Sequence, residues 1–284
     1  MPESPELAVS RDRLKGIIEG RSILSVSPGL TGRYTKKLPE GHEEFSSLLK
    51  SNGPAKIEEI GTHGKFMWWR LKIPQTQDAF FLHCTYGMAA QWSGSPSKHT
   101  AYVVEYGTAP ITRDNRYLHF NDQRHFGTIK FVRGGEAHRR KLATLGPCIL
   151  SGGLTPEIFA EKMLKKPTRT IAEALMDQSG VAGVGNYIKA ECLLRAGISP
   201  WRNVTDITSE EYVKLCGSVI DVATESYEAQ GASIKTYRNV DGSKGRKQFD
   251  FEIYAQKECP KGHPTKREET PEGRTSWWCP RCQT

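Results

Sequence analysis

Three cysteines and a histidine near the C-terminal end of this 284-residue chain have the spacing of metal ligands: Cys259-x3-His263, then, fifteen residues later, Cys279-x2-Cys282. Two chelating pairs joined by a short hairpin can close a tetrahedron around one zinc ion, and thiolate and imidazole donors suit that ion. Four protein ligands leave no open coordination position. The chemistry on offer is therefore structural, an ion organising a piece of chain too small to fold alone. The alternative is two unrelated pairs in a reduced protein. On the same segment Gly273-Arg274-Thr275 precedes Trp277-Trp278. An arginine on a rigid hairpin can grip a phosphate bidentately, although a lone hairpin arginine is more often only solvated.

A second group of interest is DQSGVAGVGNYIKAECLLRAGISP, from Asp177, where Gly180, Gly183 and Gly185 join two predicted helices. Asn186 stands at the start of the second, where asparagine is a favoured N-cap. A glycine-rich turn admits close backbone approach, and free amides at a helix N-terminus attract anions. Such a pair would hold a DNA phosphate without reading sequence. On composition alone an ordinary helix hairpin with convenient glycines explains it better. Pro2-Glu3, taken by itself, is an unremarkable terminus.

The elements that must carry these residues fall into distinct stretches. Residues 5–20 place Leu7, Leu14, Ile17 and Ile18 near one face at helical spacing, ending at Gly20. From Ser22 to about Phe131, short apolar or alternating runs such as KFMWWRLKI, DAFFLHC, TAYVVEY and GTIKFV are separated by Gly, Pro, Ser and Asn. That pattern predicts antiparallel strands. From Thr155 to Gln230 the apolar spacing is helical, as in Tyr212, Leu215, Val219 and Val222. The expectation is an α+β protein with four parts. Residues 1–133 form an N-terminal antiparallel β-sandwich with a flanking helix, and 134–154 a hinge. Residues 155–250 form a helical domain whose end, 231–250, is a basic loop carrying Lys244, Arg246 and Lys247; 251–284 form the metal-binding hairpin.

Composition bounds the partners. Hydrophobic residues at 37% and charged residues at 25% allow a packed core and argue against wholesale disorder. Forty Lys and Arg against 32 Asp and Glu give a formal charge of +8, which suits a polyanion, though a merely soluble basic protein is an even alternative. No window approaches the roughly 20 apolar residues that span a bilayer, and MPESPELAVSRDRL lacks a signal-peptide core. An intracellular, membrane-free protein is expected, with Cys84, Cys148, Cys192 and Cys216 as buried apolar thiols.

Taken together, the motifs resemble the formamidopyrimidine-DNA glycosylase and endonuclease VIII family. The resemblance rests on Met-Pro-Glu-Ser-Pro-Glu at the start, Gly64-Lys65 before a strand, Asp122-x-Arg124-His125-Phe126-Gly127 and Leu145-Gly146-Pro147. It continues through Asp177-Gln178 with Gly183-Val184-Gly185-Asn186-Tyr187, similar to a helix–two-turn–helix, and Gly273-Arg274-Thr275 through Gln283, similar to a zinc finger. His263 stands where four cysteines are commoner, an arrangement resembling some endonuclease VIII-like proteins. Met88, Arg124 and Phe126 match the formamidopyrimidine branch better. The first helix and the His83–Trp92 stretch look more like endonuclease VIII.

The resemblance implies a bifunctional glycosylase and AP lyase of base excision repair that holds one structural zinc and acts as a monomer on damaged duplex or single-stranded DNA. Removal of Met1 would free the amine of Pro2, and an α-amine has a pKa of roughly 7.7–8.0 against about 10.4 for lysine. The neutral amine would attack the sugar, displace the base and leave an iminium from which the strand is cut by β/δ-elimination. Glu3 would handle protons, Glu6 would orient the terminus or sugar, and Lys65 would reach a flanking phosphate. Asn186 and Arg274 would clamp phosphates, while Met88, Arg124 and Phe126 would fill the gap left by an extruded base. Oxidised pyrimidines are the expected substrates, with oxidised purines and formamidopyrimidines as the alternative. A damage-binding protein without catalysis and a zinc-dependent hydrolase are the rival readings.

Overall fold

The computed structural model describes residues 2–108, 116–232 and 251–284. The basic loop expected at 231–250, with Lys244, Arg246 and Lys247, lies outside the described residues from 233 onward. Among the described residues no helix is long and apolar enough to cross a membrane.

The chain divides into two compact units. The first holds Pro2 and Leu7–Ala143. It contains most of helix α1 (Ser4–Ile18), strand β1 (Ser22–Pro28), helix α2 (His42–Asn52) and strands β2 (Ala55–His63), β3 (Phe66–Lys72) and β4 (Phe80–Thr85). Strands β5 (Ala90–Ser93), β6 (Thr100–Gly107), β7 (Arg116–Asp122) and β8 (Thr128–Arg133) and helix α3 (Gly135–Ala143) follow, the last within the segment read as a hinge.

The eight strands hydrogen-bond in the order β5-β7-β6-β1-β2-β3-β4-β8, every pairing antiparallel. β1 and β2 share only the pairs Ser22–Lys56 and Ile23–Ala55, so the sheet can fold over at that join. It does so: Trp69 of β3 and Trp92 of β5 lie 4.8 Å apart between ring centroids, and Tyr102 of β6 lies 6.1 Å from Phe131 of β8. Strands far apart in the hydrogen-bonding order thus face each other across one apolar layer, as in a sandwich. Leu7, Leu14 and Ile18 of α1 enter this core, as does Phe45 of α2, stacked on Phe131 at 4.5 Å. Apolar residues of the runs read from the sequence supply the inward faces of these strands, and β4 is buried at five consecutive positions, Phe80 to Cys84.

The second unit holds Glu3–Glu6, Thr144–Ala232 and residues 251–284. Its helices are α4 (Pro156–Leu164), α5 (Ile171–Met176), α6 (Asn186–Ala196) and α7 (Ser209–Glu228), followed by the hairpin β9 (Lys266–Thr270) and β10 (Arg274–Trp278). Local chemistry sets the helix starts. Thr155 caps α4, and Thr170 with Glu173 and Thr208 with Glu211 form capping boxes on α5 and α7. The buried faces of α6 and α7 include Ile188 and Leu193 on one and Leu215, Val219 and Val222 on the other. The chain is α+β, with an antiparallel sheet in its N-terminal half, helices in its C-terminal half and a terminal hairpin beside a Cys/His cluster.

Candidate active site

Helix α6 begins without a side-chain cap of its own, because its N-cap is Gly185. The cap comes instead from Glu3. Its carboxylate accepts the amides of Gly185 at 2.7 Å, Tyr187 at 2.9 Å and Ile188 at 3.3 Å. Those amides carry the positive end of the helix dipole, so an anion is stabilised there. The sequence reading offered these amides to a DNA phosphate; the structure fills them with Glu3. It also corrects the role of Asn186, which is the first helical residue rather than the cap. A Cβ on Gly185 would stand 2.2 Å from the Glu3 carboxyl carbon, so the glycine makes room for the carboxylate.

Glu6 reinforces the anchor. Fully buried, it accepts the Glu3 amide at 2.7 Å, the Ala232 amide at 2.8 Å and the Tyr187 hydroxyl at 3.2 Å. Burial raises its pKa, against hydrogen bonds from Ala232, Glu3 and Tyr187 that oppose the rise. Tyr187 also meets Ser226 at 3.0 Å, and burial beside the two acids drives its phenol well upward. Ser4 donates its amide to Gly183 at 3.3 Å, where φ is +118° and a Cβ would lie 2.8 Å from Ser4. Gln178 ties the turn by accepting the Gly183 amide and donating to Val184, both at 3.0 Å. Pro2 is buried and one peptide link, about 3.8 Å between Cα atoms, from anchored Glu3.

Asn186 donates from Nδ2 to the Thr275 carbonyl at 2.8 Å. This brings two of the expected phosphate-binding residues together, since Arg274 is the neighbour of Thr275 and is exposed. In the hairpin, the ligand atoms of Cys259, His263, Cys279 and Cys282 all lie within 4.8 Å of one another. The separations Cys259–Cys282 and Cys279–His263 are both 3.8 Å, and His263–Cys282 is 3.2 Å. A tetrahedron with roughly 2.3 Å metal–sulfur bonds has edges of about 3.8 Å, so the four residues fit a metal ion. Gln283 accepts the Cys279 amide at 2.7 Å and donates to the Ile198 carbonyl at 3.0 Å, docking the finger on the end of α6.

The remaining predicted residues belong to the first unit. Lys65 follows Gly64, at φ +57°, in the two-residue loop joining β2 and β3. Met88, Arg124 and Phe126 come from two loops that the structure places together. The Arg124 guanidinium lies 3.4 Å from the Met88 sulfur, and a Cβ on Gly87 would stand 2.6 Å from the Phe126 backbone. Buried Asp122 shapes the second loop by accepting the amides of Gly127 at 2.8 Å and Arg124 at 3.3 Å. Phe126 is 59% exposed, which is unusual for a phenylalanine and not a core position.

Sequence reasoning missed Tyr187, Gln178 and Glu191 as structural parts of this site. Glu191 accepts the amides of Glu252, Ile253 and Tyr254 at 2.7–3.1 Å and so seats the start of the finger segment. The available signal was a glutamate within the apolar stripe of α6.

Comparison with known proteins agrees with this geometry. The family model for the formamidopyrimidine-DNA glycosylase N-terminal domain matches residues 1–129, and that for the formamidopyrimidine-DNA glycosylase H2TH domain matches 145–238. The formamidopyrimidine-DNA glycosylase of Shouchella clausii is 34% identical over 286 residues, covering 100% of this chain and 99% of the relative. That of Bacillus licheniformis is 32% identical over 289 residues, with coverage of 100% and 99%. Among solved structures, the MutM (Fpg) protein of Thermus thermophilus superimposes with a TM-score of 0.80 at 28% identity, covering 99% of this chain and 98% of that one. The Lactococcus lactis Fpg, solved with DNA containing an abasic site, gives 0.83 at 25% identity with both chains fully covered.

Proposed function

The chain belongs to the formamidopyrimidine-DNA glycosylase family and is a DNA glycosylase with AP lyase activity, a base excision repair enzyme; from that premise we propose that it removes oxidised purines and formamidopyrimidines through the amine of Pro2. The curated relatives named above carry the formamidopyrimidine name, which supports the purine-derived substrates over the oxidised pyrimidines expected first. The partner is damaged DNA, and the chain acts inside the cell as a monomer.

The observation that carries the nucleophile assignment is the anchoring of Glu3. The amides of Gly185, Tyr187 and Ile188 at the start of α6 and the Glu6 carboxylate hold the residue next to Pro2, so a Pro2 freed from Met1 has little conformational freedom left to lose. Its neutral nitrogen forms a bond to C1′ of the sugar as the bond to the damaged base breaks, and the base departs with a proton. The nitrogen then gives up its proton and expels the ring oxygen, so that the C1′–O4′ bond breaks as Glu3 delivers a proton to O4′. The iminium so formed acidifies the C2′ proton, whose loss expels the 3′-phosphate, and a second elimination releases the 5′-phosphate. Glu3 and Glu6 serve the proton transfers and Lys65 a flanking phosphate. Asn186 and Arg274 hold the strand, and Met88, Arg124 and Phe126 enter the space of the extruded nucleotide. Cys259, His263, Cys279 and Cys282 hold one zinc ion, which supplies structure rather than a reacting water.

Borohydride trapping on a panel of lesions, in duplex and single-stranded oligonucleotides, tests this. The expected result is a covalent adduct at the N-terminal peptide, formed fastest with formamidopyrimidine or oxidised guanine. Faster trapping with oxidised pyrimidines would overturn the substrate, and no adduct with any lesion would favour a damage-binding protein.

A further inference from the structure

We infer that Lys189 is a positioning residue for DNA binding, acting through a buried polar chain that fixes the backbone from which Arg274 projects; this rests on the reading of Arg274 as a phosphate ligand. Lys189 lies one turn after Asn186 on α6 and is fully buried, a rare state for lysine. Its ammonium meets the Glu272 carboxylate at 2.5 Å and the Thr270 hydroxyl at 3.4 Å. Thr270, itself buried, also lies 2.7 Å from Glu272 and donates to the Arg274 carbonyl at 2.8 Å. The chain of contacts therefore runs from helix α6, under the hairpin tip, to the peptide group of Arg274. Asn186 holds the next carbonyl, that of Thr275. Two residues three apart on one helix thus bear on consecutive carbonyls of β10, Asn186 directly and Lys189 through Thr270.

The charge state makes this arrangement stiff. Burial pulls the Lys189 ammonium down and the Glu272 carboxylate opposes that shift. Among the described residues the second oxygen of Glu272 is buried without a hydrogen-bond partner, and with the Thr270 proton given to the Arg274 carbonyl the carboxylate depends on Lys189. Removing the ammonium would leave a nearly buried, uncompensated charge. The cheapest relief is for the tip to open and hydrate, which frees Arg274 from its fixed origin.

The test is a double-mutant cycle on the zinc-loaded full chain, reading the dissociation constant for duplex DNA with a stable abasic-site analogue. Zinc content and thermal melting are measured alongside. Lys189→Met is expected to weaken binding about tenfold, as loss of a phosphate contact would. In an Arg274→Ala background the same change is expected to cost less than twofold, because the contact it serves is already gone. Thr270→Val, close to isosteric, cuts the link to the Arg274 carbonyl while leaving the ion pair; it should behave in the same way should Lys189→Met fail to fold. Costs that persist undiminished in the Arg274→Ala background overturn the positioning role and leave the phosphate contact standing. An Arg274→Ala variant with wild-type affinity overturns both.

Discussion

The Glu3 carboxylate lies 2.7 Å from the amide of Gly185, a contact between residues 182 apart in sequence. It ties the segment beside Pro2 to the first turn of α6, and it explains a glycine that sequence reasoning assigned to DNA. The consequences can be measured one at a time.

Gly185→Ala places a methyl carbon 2.2 Å from the Glu3 carboxyl carbon, far inside van der Waals contact. Overpacking of this kind costs on the order of 1–3 kcal/mol. The variant should melt lower and lose most of its trapping rate. Wild-type trapping would show that Glu3 does not need its seat on α6.

Blocking Pro2, by a retained N-terminal tag or an acetyl group, removes the nucleophile without touching the finger. Adduct formation should disappear while affinity for abasic-site DNA stays within a few fold. A tagged enzyme that still traps would locate the amine elsewhere.

His83 predicts an acid sensitivity. Burial, with His138 3.0 Å away, lowers the His83 pKa to about 4 from an unfolded value near 6.5. The unfolded chain thus binds the proton first, so this contribution to stability is present above about 6.5 and is lost as pH falls towards 4, on the order of 2 kcal/mol. His83→Gln should flatten the melting temperature across that window relative to wild type. An unchanged slope would contradict the prediction.

Chelation should release one zinc per chain and abolish DNA binding together with the finger, leaving the sheet signal in circular dichroism largely intact. His263→Cys should keep the metal, and His263→Ala should lose it. Full activity after complete metal loss would sink the structural assignment.

Phe126→Ala removes an exposed ring and should change stability by less than about 0.5 kcal/mol. Lesion trapping should fall by tenfold or more if the ring wedges into DNA. Stability falling with unchanged trapping would mark Phe126 as a packing residue instead.

Much of the fold and of the site is legible in the sequence. The ligand set was readable because metal chelation is local: Cys259 with His263 and Cys279 with Cys282 are close along the chain, and pairing them requires only a hairpin. The strand and helix regions were readable for the same reason, since alternation in TAYVVEY and the spacing of Tyr212, Leu215, Val219 and Val222 report which face is buried. The family resemblance also singled out Asn186 and Arg274, which the fold brings within one residue of each other.

The roles that depend on distant partners were not legible. Nothing local shows that the acid expected to handle protons also caps a helix, so the seat of Glu3 on α6 was hidden and Gly185 looked like a phosphate seat. The buried stations of Tyr187, Lys189 and Glu191 lay hidden within an amphipathic pattern, because an ion or hydroxyl can be buried only where a partner from elsewhere satisfies it. Residue types and spacing determined which chemistry this chain carries. Tertiary structure alone decided which carboxylate is held, by which amides, because hydrogen bonds across 182 residues follow from packing and leave no period in the sequence.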